Sequence, residues 1–518
     1  MIMKSKSILY ILLITVAAAT GCKRYLDLAP KNKRTVTSVT DMQSLLGSYL
    51  QGVGQLRVKP LVGNVMPVAP IQGCLMFEAY SDNIDFDTAL TQTYLQPNNY
   101  HLKLEQGYAN WLLWNDFVTP DTLWSQHYRI VGFLNILIDQ MADITDATPQ
   151  QRDQLLGEMY AHRAYYLFKL LEYFAPYNKG DMGIPVFLHT GQGVLGVAEP
   201  RKTQAEVYKI ILGDLDSSLT MLQRSAPMAG YNVFYNNRYL HHLLAQVYWF
   251  KAESPAKEAT DYDQVKMHAA IAADGTDPFI PTTAAAMINA YAAKDPNYPA
   301  LCLEYNIQGA IGAIYGSCYE YLNPGTYGPE NIPLTTEFAA LFSPGDARIQ
   351  AVFNTDPTRA GGKVGTAGKT LNWAWPADGT VQGSLKRGDV CLFKPEEALL
   401  LLAEAQYRLN APADCIATLN RFKSFRNAGT ANGLSGDALL QEIVNERRKE
   451  FFADYDKRWL DLKRYGGKTI SRKLVFFQKQ YNLTVAPADY RYALPIPLSE
   501  VQVNPNIIPN EGWIPIQY

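Results

Sequence analysis

The sequence has almost no net charge. Lys and Arg number 47 against 49 Asp and Glu, and charged residues are only 19% of the chain. A nucleic-acid binder needs a basic field to neutralise phosphate, and this balance argues against one. Long apolar runs are equally scarce. The one near the start, Ile8 to Ala19, is about a dozen residues, where a bilayer crossing needs roughly 20. Histidines number seven and cysteines six. No Gly-x-Ser-x-Gly elbow and no Walker loop occurs, and no His pair stands at convincing metal-ligand spacing. His241 and His242 are adjacent, so on a helix they point in different directions and read as core or surface residues. A glycosidase holds two carboxylates across a sugar, and nothing in the sequence marks such a pair.

The short apolar run has its own meaning. Lys4 and Lys6 precede it, small residues follow it, and Cys22 comes directly after Ala19-Thr20-Gly21. This is the layout of a cleaved export signal over residues 1–21. A cysteine at the first mature position is the acceptor pattern of bacterial lipoproteins, although Ala19 stands where leucine is usual. More than one acyl chain gives stable membrane anchoring, so Cys22 is the expected lipidation site and residues 22–40 a tether. The other five cysteines are an odd number, which leaves at least one thiol unpaired. Cys391 and Cys415 lie in or beside apolar helical segments and read as small core residues. One pairing open to the rest is Cys302 with Cys318.

Helical periodicity dominates the remainder of the chain. Asp41 is the expected cap of a helix through Tyr49. A periodic run covers Leu123 to Met141, and Thr148-Pro149 opens another, with Pro at its first position. The stripe of that helix, Leu156, Tyr160, Arg163, Leu167, Leu170, Leu171 and Phe174, steps by threes and fours. Arg163 on an apolar stripe implies burial and a partner. Thr203 caps a helix through Leu222, and Asn236-Asn237 precede one through about Lys251. Helices resume at Pro395 to Asn410, Pro412 to Arg426 and Leu439 to about Tyr455. Residues 53–122 and 252–390 are rich in Pro, Gly, Asn and Thr and read as irregular. The fold class is therefore mostly α, with tetratricopeptide-like helix pairs as a scaffold and long irregular insertions. Loops of this length in an ordered domain are usually functional.

Several stretches carry a resemblance when taken in order. Cys22 is followed by Leu26-Asp27 and Pro30. Trp124 to Asp139 includes Asn135. Gly157 to Leu188 includes Arg163-Ala164 and the turn Gly183-Ile184-Pro185. Glu396 to Asn410 is followed by Leu419-Asn420, then by Glu446 to Tyr465 and Leu494 to Trp513. In this order they resemble the SusD/RagB family of outer-membrane nutrient-binding lipoproteins, over nearly the whole mature chain. Two departures are Pro509-Asn510-Glu511-Gly512 near the end and Lys394-Pro395 where arginine is common. The resemblance implies one SusD-like domain over 41–518, with a helical scaffold over roughly 123–251 and 394–465. It implies a lipid-anchored outer-membrane protein of a Gram-negative bacterium, facing outward. Its partner would be a SusC-like TonB-dependent transporter and its ligand a glycan, bound without catalysis. Peptide uptake, as in RagB-like proteins, and a surface glycoside hydrolase are the alternatives.

The family motifs read as framework. Glu446 to Arg464 interleaves acids and bases, and the spacing predicts pairs Glu446–Lys449, Lys457–Asp461 and Arg458–Asp461 on an exposed helix face. Glu404, between Ala403 and Ala405, is placed to meet an arginine such as Arg163. Ligand contacts are sought in the irregular regions, which the resemblance brings together as one shallow face. The aromatic candidates are Trp111 and Trp114; Tyr315, Tyr319 and Tyr321 with Asn323; and Trp373 with Trp375. Aromatic rings stack on the apolar faces of sugars. The acidic cluster Glu78, Asp82, Asp85 and Asp87 reads first as a capped loop and second as a contact for ligand hydroxyls, through Asp82. Its oxygens are close enough for Ca²⁺ but lack the Gly and distal Glu of an EF-hand; no cofactor is expected.

Overall fold

The structure is a computed structural model. It describes residues 36–54, 76–83, 109–177, 180–190, 196–225, 234–287, 301–303, 335–349, 353–354, 366–367, 390–452, 454, 456–476 and 479–517. Cys22 and the export signal lie outside these residues.

The chain is mostly helical, as its periodicity implies. The first helix, α1 (Val39–Gly54), starts earlier than expected. Ser38 takes the capping role: its Oγ accepts the Asp41 N–H at 3.1 Å and donates to the Asp41 carboxylate at 2.9 Å. Then come α2 (Val118–Gln140) and α3 (Pro149–Phe174). Thr148 and Gln151 close a reciprocal capping box at the start of α3, which satisfies amide donors that a helix end leaves free. The second half of α3, from Ala161 to Phe174, is buried on every side, so this helix is the axis of the fold. A second capping box, Thr203 with Glu206, opens α4 (Gln204–Arg224). Asn236 caps α5 (Asn237–Lys251) through the Tyr239 N–H at 3.0 Å.

One helix was not visible in the pattern. α6 (Asp261–Ala273) lies inside the stretch expected to be irregular. It is held by alanine and good propensity rather than by one apolar stripe. Its buried residues Ala269, Ala272 and Ala273 let neighbours approach closely. It joins the halves of the scaffold, packing on α5 on one side and on α7 (Pro395–Arg408) on the other. From α2 onward each helix packs on the next, through α8 (Pro412–Arg426), while α9 (Gly436–Glu450) returns to α7. This serial stacking is the tetratricopeptide-like arrangement.

Of the three strand pairs among the described residues, two complete the frame. β1 (Leu301–Leu303) pairs antiparallel with β2 (Val390–Phe393). A hairpin, β3 (Ile470–Phe476) and β4 (Lys479–Val485), follows α10 (Lys457–Arg464). The alternation Ile470, Arg472, Leu474 is buried, and Arg472 reaches the Ser81 carbonyl at 2.6 Å.

The acid–base stretch differs most from expectation. It is broken between Glu450 and Lys457, and its charges are buried. Glu446–Lys449 pairs at 2.7 Å as the spacing suggested. The other two predicted pairs do not close. Lys457 binds Glu397, Arg458 binds Asp82, and Asp461 binds Arg447, because the helix break points these residues at other elements. Glu404 meets Arg464 at 2.8 Å rather than Arg163. Arg163 is buried and paired: it forks onto both Asp214 oxygens at 2.7 Å and donates to Asn135 Oδ1 at 2.9 Å. Asn135 in turn donates to the Phe187 carbonyl at 2.8 Å. Gly183 has a backbone reason, since a Cβ there would meet the Lys202 carbonyl at 3.0 Å. Cys415 is a buried core thiol, pushed up to about 11 by burial.

Two consequences are measurable. Arg163→Ala leaves Asp214 buried without its partner, and we expect a loss of about 3–5 kcal/mol. Arg421→Ala breaks the half-exposed pair with Asp277 and should cost under about 1 kcal/mol. Urea unfolding measures both, and equal losses would refute the burial argument.

The second concerns Glu158. It is fully buried, with the Tyr235 backbone beside its carboxyl and His162 Nε2 3.7 Å away. Burial raises the Glu158 pKa well above its ordinary value and lowers that of His162 to about 3, so His162 is neutral at pH 7 and Glu158 keeps its proton to a higher pH than a free carboxyl does. A carboxyl raised on folding makes the fold lose stability as pH rises from its unfolded value, near 4.5, to its folded one, by up to about 1.4 kcal/mol per pH unit. Glu158→Gln removes that slope. The variant should gain on the wild type between pH 5 and pH 8 in urea unfolding; a difference that stays flat with pH would contradict the assignment.

Candidate functional site

The two irregular regions meet at one place. Segment 76–83 is buried throughout. Phe77 packs on Tyr173 and Trp459, with ring centroids 5.0 Å from each. At its end the Asn83 carbonyl accepts the Thr335 N–H at 2.9 Å, and the Asp82 carbonyl accepts the Thr335 hydroxyl at 3.1 Å. Residue 83 belongs to the first irregular region and residue 335 to the second. One point of each insertion is therefore held beside a point of the other.

Arg448, near the end of α9, locks this junction. Its guanidinium donates to the Asp82 carbonyl at 2.8 Å, to Asn83 Oδ1 at 2.9 Å and to Glu337 at 2.8 Å. The Asp82 carboxylate receives a fork from Arg458 at 2.7 and 3.0 Å. Arg448 at 3.1 Å and Lys468 at 2.8 Å complete its shell. Burial would raise the Asp82 pKa, but Arg458, then Arg448 and Lys468, outweigh it and hold the carboxyl far below the usual range. Asp82 is thus a joint of the frame. Its oxygens are engaged by three cations, which favours a framework role over a ligand contact.

The tryptophans separate. Trp114 is fully buried, stacked on Tyr80 with centroids 4.7 Å apart and planes at 9°, and edge-on to Tyr492. Its left-handed backbone, φ 50°, turns the chain so that the ring faces inward. This overturns its reading as a sugar platform. Trp111, three residues earlier, is half-buried, and its Nε1 donates to Asp116 at 2.7 Å. Tyr315, Tyr319, Tyr321, Asn323, Trp373 and Trp375 lie outside the described residues, as do Asp85 and Asp87. His241 faces His268 across α5 and α6 at 2.7 Å, while His242 faces Glu397 at 3.3 Å. Among the described residues no three His, Cys, Asp or Glu side chains form a metal-binding group.

Concavities among the described residues flank the frame. A polar groove of about 690 Å³ adjoins the junction and is lined by Glu337, Gln441, Asn445, Arg448, Arg458 and Lys468, among others. A smaller cleft of about 340 Å³ is aromatic, formed by Trp124, Tyr128, Val131, Gly132 and Phe187, with Asn135 and His189 at hand. Sequence reasoning missed this cleft, although its signal is present: Trp124, Tyr128 and Gly132 succeed one another at four-residue steps on α2.

Comparison with known proteins agrees with this architecture. A family model described as starch-binding associating with outer membrane matches residues 24–231, and the SusD family model matches residues 376–513. The two together span more than half of the chain. A SusD superfamily protein from Bacteroides vulgatus has a similar structure, at 20% identity and a TM-score of 0.67, over 92% of this chain and 100% of that one. A SusD-like carbohydrate binding protein from Bacteroides vulgatus is similar at 17% identity and a TM-score of 0.65, covering 91% and 98%. A SusD superfamily protein from Bacteroides thetaiotaomicron matches at 18% and 0.64, covering 92% and 100%. Curated proteins give no match. The serial helix pairs, the Arg163–Asn135 motif and the two family models give one conclusion: the chain belongs to the SusD/RagB family.

Proposed function

We propose that the protein captures an oligosaccharide at the cell surface and passes it to a SusC-like TonB-dependent transporter, making and breaking no covalent bond. The observation that supports this reading is the contact between the two irregular regions at Asn83 and Thr335. Two long segments held together at one buried point can build a single ligand face, and in this family such a face would read a nutrient. The aromatic and amide side chains in those segments suit a neutral polyhydroxylated ligand. Cys22 would anchor the chain by lipid at the outer membrane. Closure over the transporter would then move the helical frame as one body.

Calorimetry against a glycan panel and a peptide pool tests the ligand class. We expect heat of binding from at least one glycan and no new reducing ends after prolonged incubation. Binding to peptides alone would sink the glycan choice, and released reducing ends would mean a hydrolase. Tyr319→Ala or Trp373→Ala should weaken glycan binding up to about tenfold, as expected for losing one aromatic stack worth about 0.5–1.5 kcal/mol.

Asp82 separates frame from ligand contact. Asp82→Asn leaves Arg458 and Arg448 buried with an uncompensated charge, and we expect a loss of about 3–5 kcal/mol in stability. Glycan affinity measured below the melting transition should be nearly unchanged. Weaker binding with an unaltered melting temperature would restore Asp82 to the ligand site.

A further inference from the structure

His241 and His268 meet across α5 and α6, with their Nδ1 atoms 2.7 Å apart. Both side chains are buried. A neutral imidazole has one ring nitrogen that donates and one that accepts. A bond between two Nδ1 atoms therefore needs one ring to present N–H and the other a bare nitrogen. The contact holds one proton. A second proton there would set two N–H groups and two positive charges against each other, away from solvent.

The charged groups around the pair are engaged elsewhere. Tyr248 of α5 stacks on the His268 ring, with centroids 5.8 Å apart and planes at 10°. Burial, then Asp216 of α4 with Asp261 and Glu258, hold the Tyr248 hydroxyl above its ordinary pKa, so it stays neutral. Asp261 itself pairs with Lys251 at 2.7 Å, at the far end of the same two helices. Glu397 of α7 faces His242, which is adjacent to His241 but turned away. Arg238, one turn before His241, donates to the carbonyls of Ala272 and Asp274 at the end of α6, and adds positive charge. Among the described residues no carboxylate bonds either ring. Burial lowers the pKa of both, and His241 adds to the effect at His268, bringing it to about 4.

The place of this contact gives it a consequence. α6 packs on α5 on one side and on α7 on the other, and so joins the halves of the stacked scaffold. A buried ion pair pins α5 to α6 at one end, and the histidine bond lies toward the other. We infer that His241 and His268 are an acid-sensitive joint of the scaffold: one proton held between them closes α6 on α5, and a second proton at the same contact opens it. The direction follows from burial. A free imidazole titrates near about 6.5. Below that pH the open joint binds more protons than the closed one, so closure weakens as pH falls from about 6.5 towards about 4. The joint does not rest on the nutrient reading.

Hydrogen exchange read by mass spectrometry on the full mature chain tests the joint, at pH 7.5 and pH 5, with exchange times scaled to the intrinsic rate. We expect peptides of α5 and α6 to lose protection by about tenfold or more between the two pH values. The reference is peptides of α8 and α9, which contain no histidine. In His268→Gln the amide can still bond the His241 ring but cannot take up a second proton, and the loss should be several-fold smaller. His241→Gln should behave alike. His242 titrates in all three proteins, so the difference isolates the pair. Equal losses in the wild type and the variants overturn the inference. So does a wild type whose α5 and α6 keep their protection at pH 5, or lose no more than α8 and α9. Should one variant fail to fold at pH 7.5, the other and the wild-type pattern decide.

Discussion

Five consecutive charged residues at the end of α9 hold the molecule together. Successive side chains on a helix are about 100° apart, so a run of five covers the whole circumference. Here each one is buried, and between them they reach several other elements. Glu446 meets Arg348 and Lys423, and Arg447 meets Asp461 with its guanidinium 4.4 Å from the Trp249 ring. Arg448 holds Asp82, Asn83 and Glu337; Lys449 returns to Glu446; Glu450 pairs with Arg426 and Arg348. Through this one helix end, α5, α8, α10 and a point in each irregular region share a single ionic lattice.

Such a lattice is an expensive way to gain stability, because each buried charge loses its hydration. What it adds is geometry. A guanidinium fork on a carboxylate fixes both direction and distance, whereas an apolar contact tolerates sliding. Segments 76–83 and 335–349 contain little regular structure to hold their own position. Directional bonds from Arg448, Arg458 and Arg472 supply it instead, using the backbone carbonyls of residues 79, 81, 82 and 112 as well as side chains. The scaffold of stacked helices supplies the rigidity, and the ionic joint conveys it to the insertions.

How legible this was depends on the range of the interaction. The caps Thr148, Thr203 and Asn236 stand where the sequence places them, because a cap needs only partners two or three residues away. Arg163 was readable as buried and paired, since a lone cation on an apolar stripe has no cheaper state. The charges of Glu446 to Arg464 were misread as an exposed face. Periodicity reports spacing along one helix, and the partners that bury these charges, Asp82, Glu337, Arg348 and Glu397, are distant in sequence. Trp111 and Trp114 looked equivalent for the same reason. Only the left-handed backbone at Trp114 separates them, and no local pattern announces it. The hairpin β3–β4 and the alanine-rich α6 were missed because neither shows one long stripe.

The joint also constrains where recognition can reside. Every oxygen of the Asp82 carboxylate is engaged, and each arginine around it has committed donors. A ligand that recruited any of these groups would have to break a buried charge pair, which costs more than a single sugar hydroxyl contact returns. On the proposed function, specificity must then come from residues that carry no part of the lattice, chiefly neutral aromatic and amide side chains further along the insertions. Substitution there leaves the joint intact. A protein built this way can change what it binds while keeping the helical frame, and that frame is shared with solved structures below 25% identity.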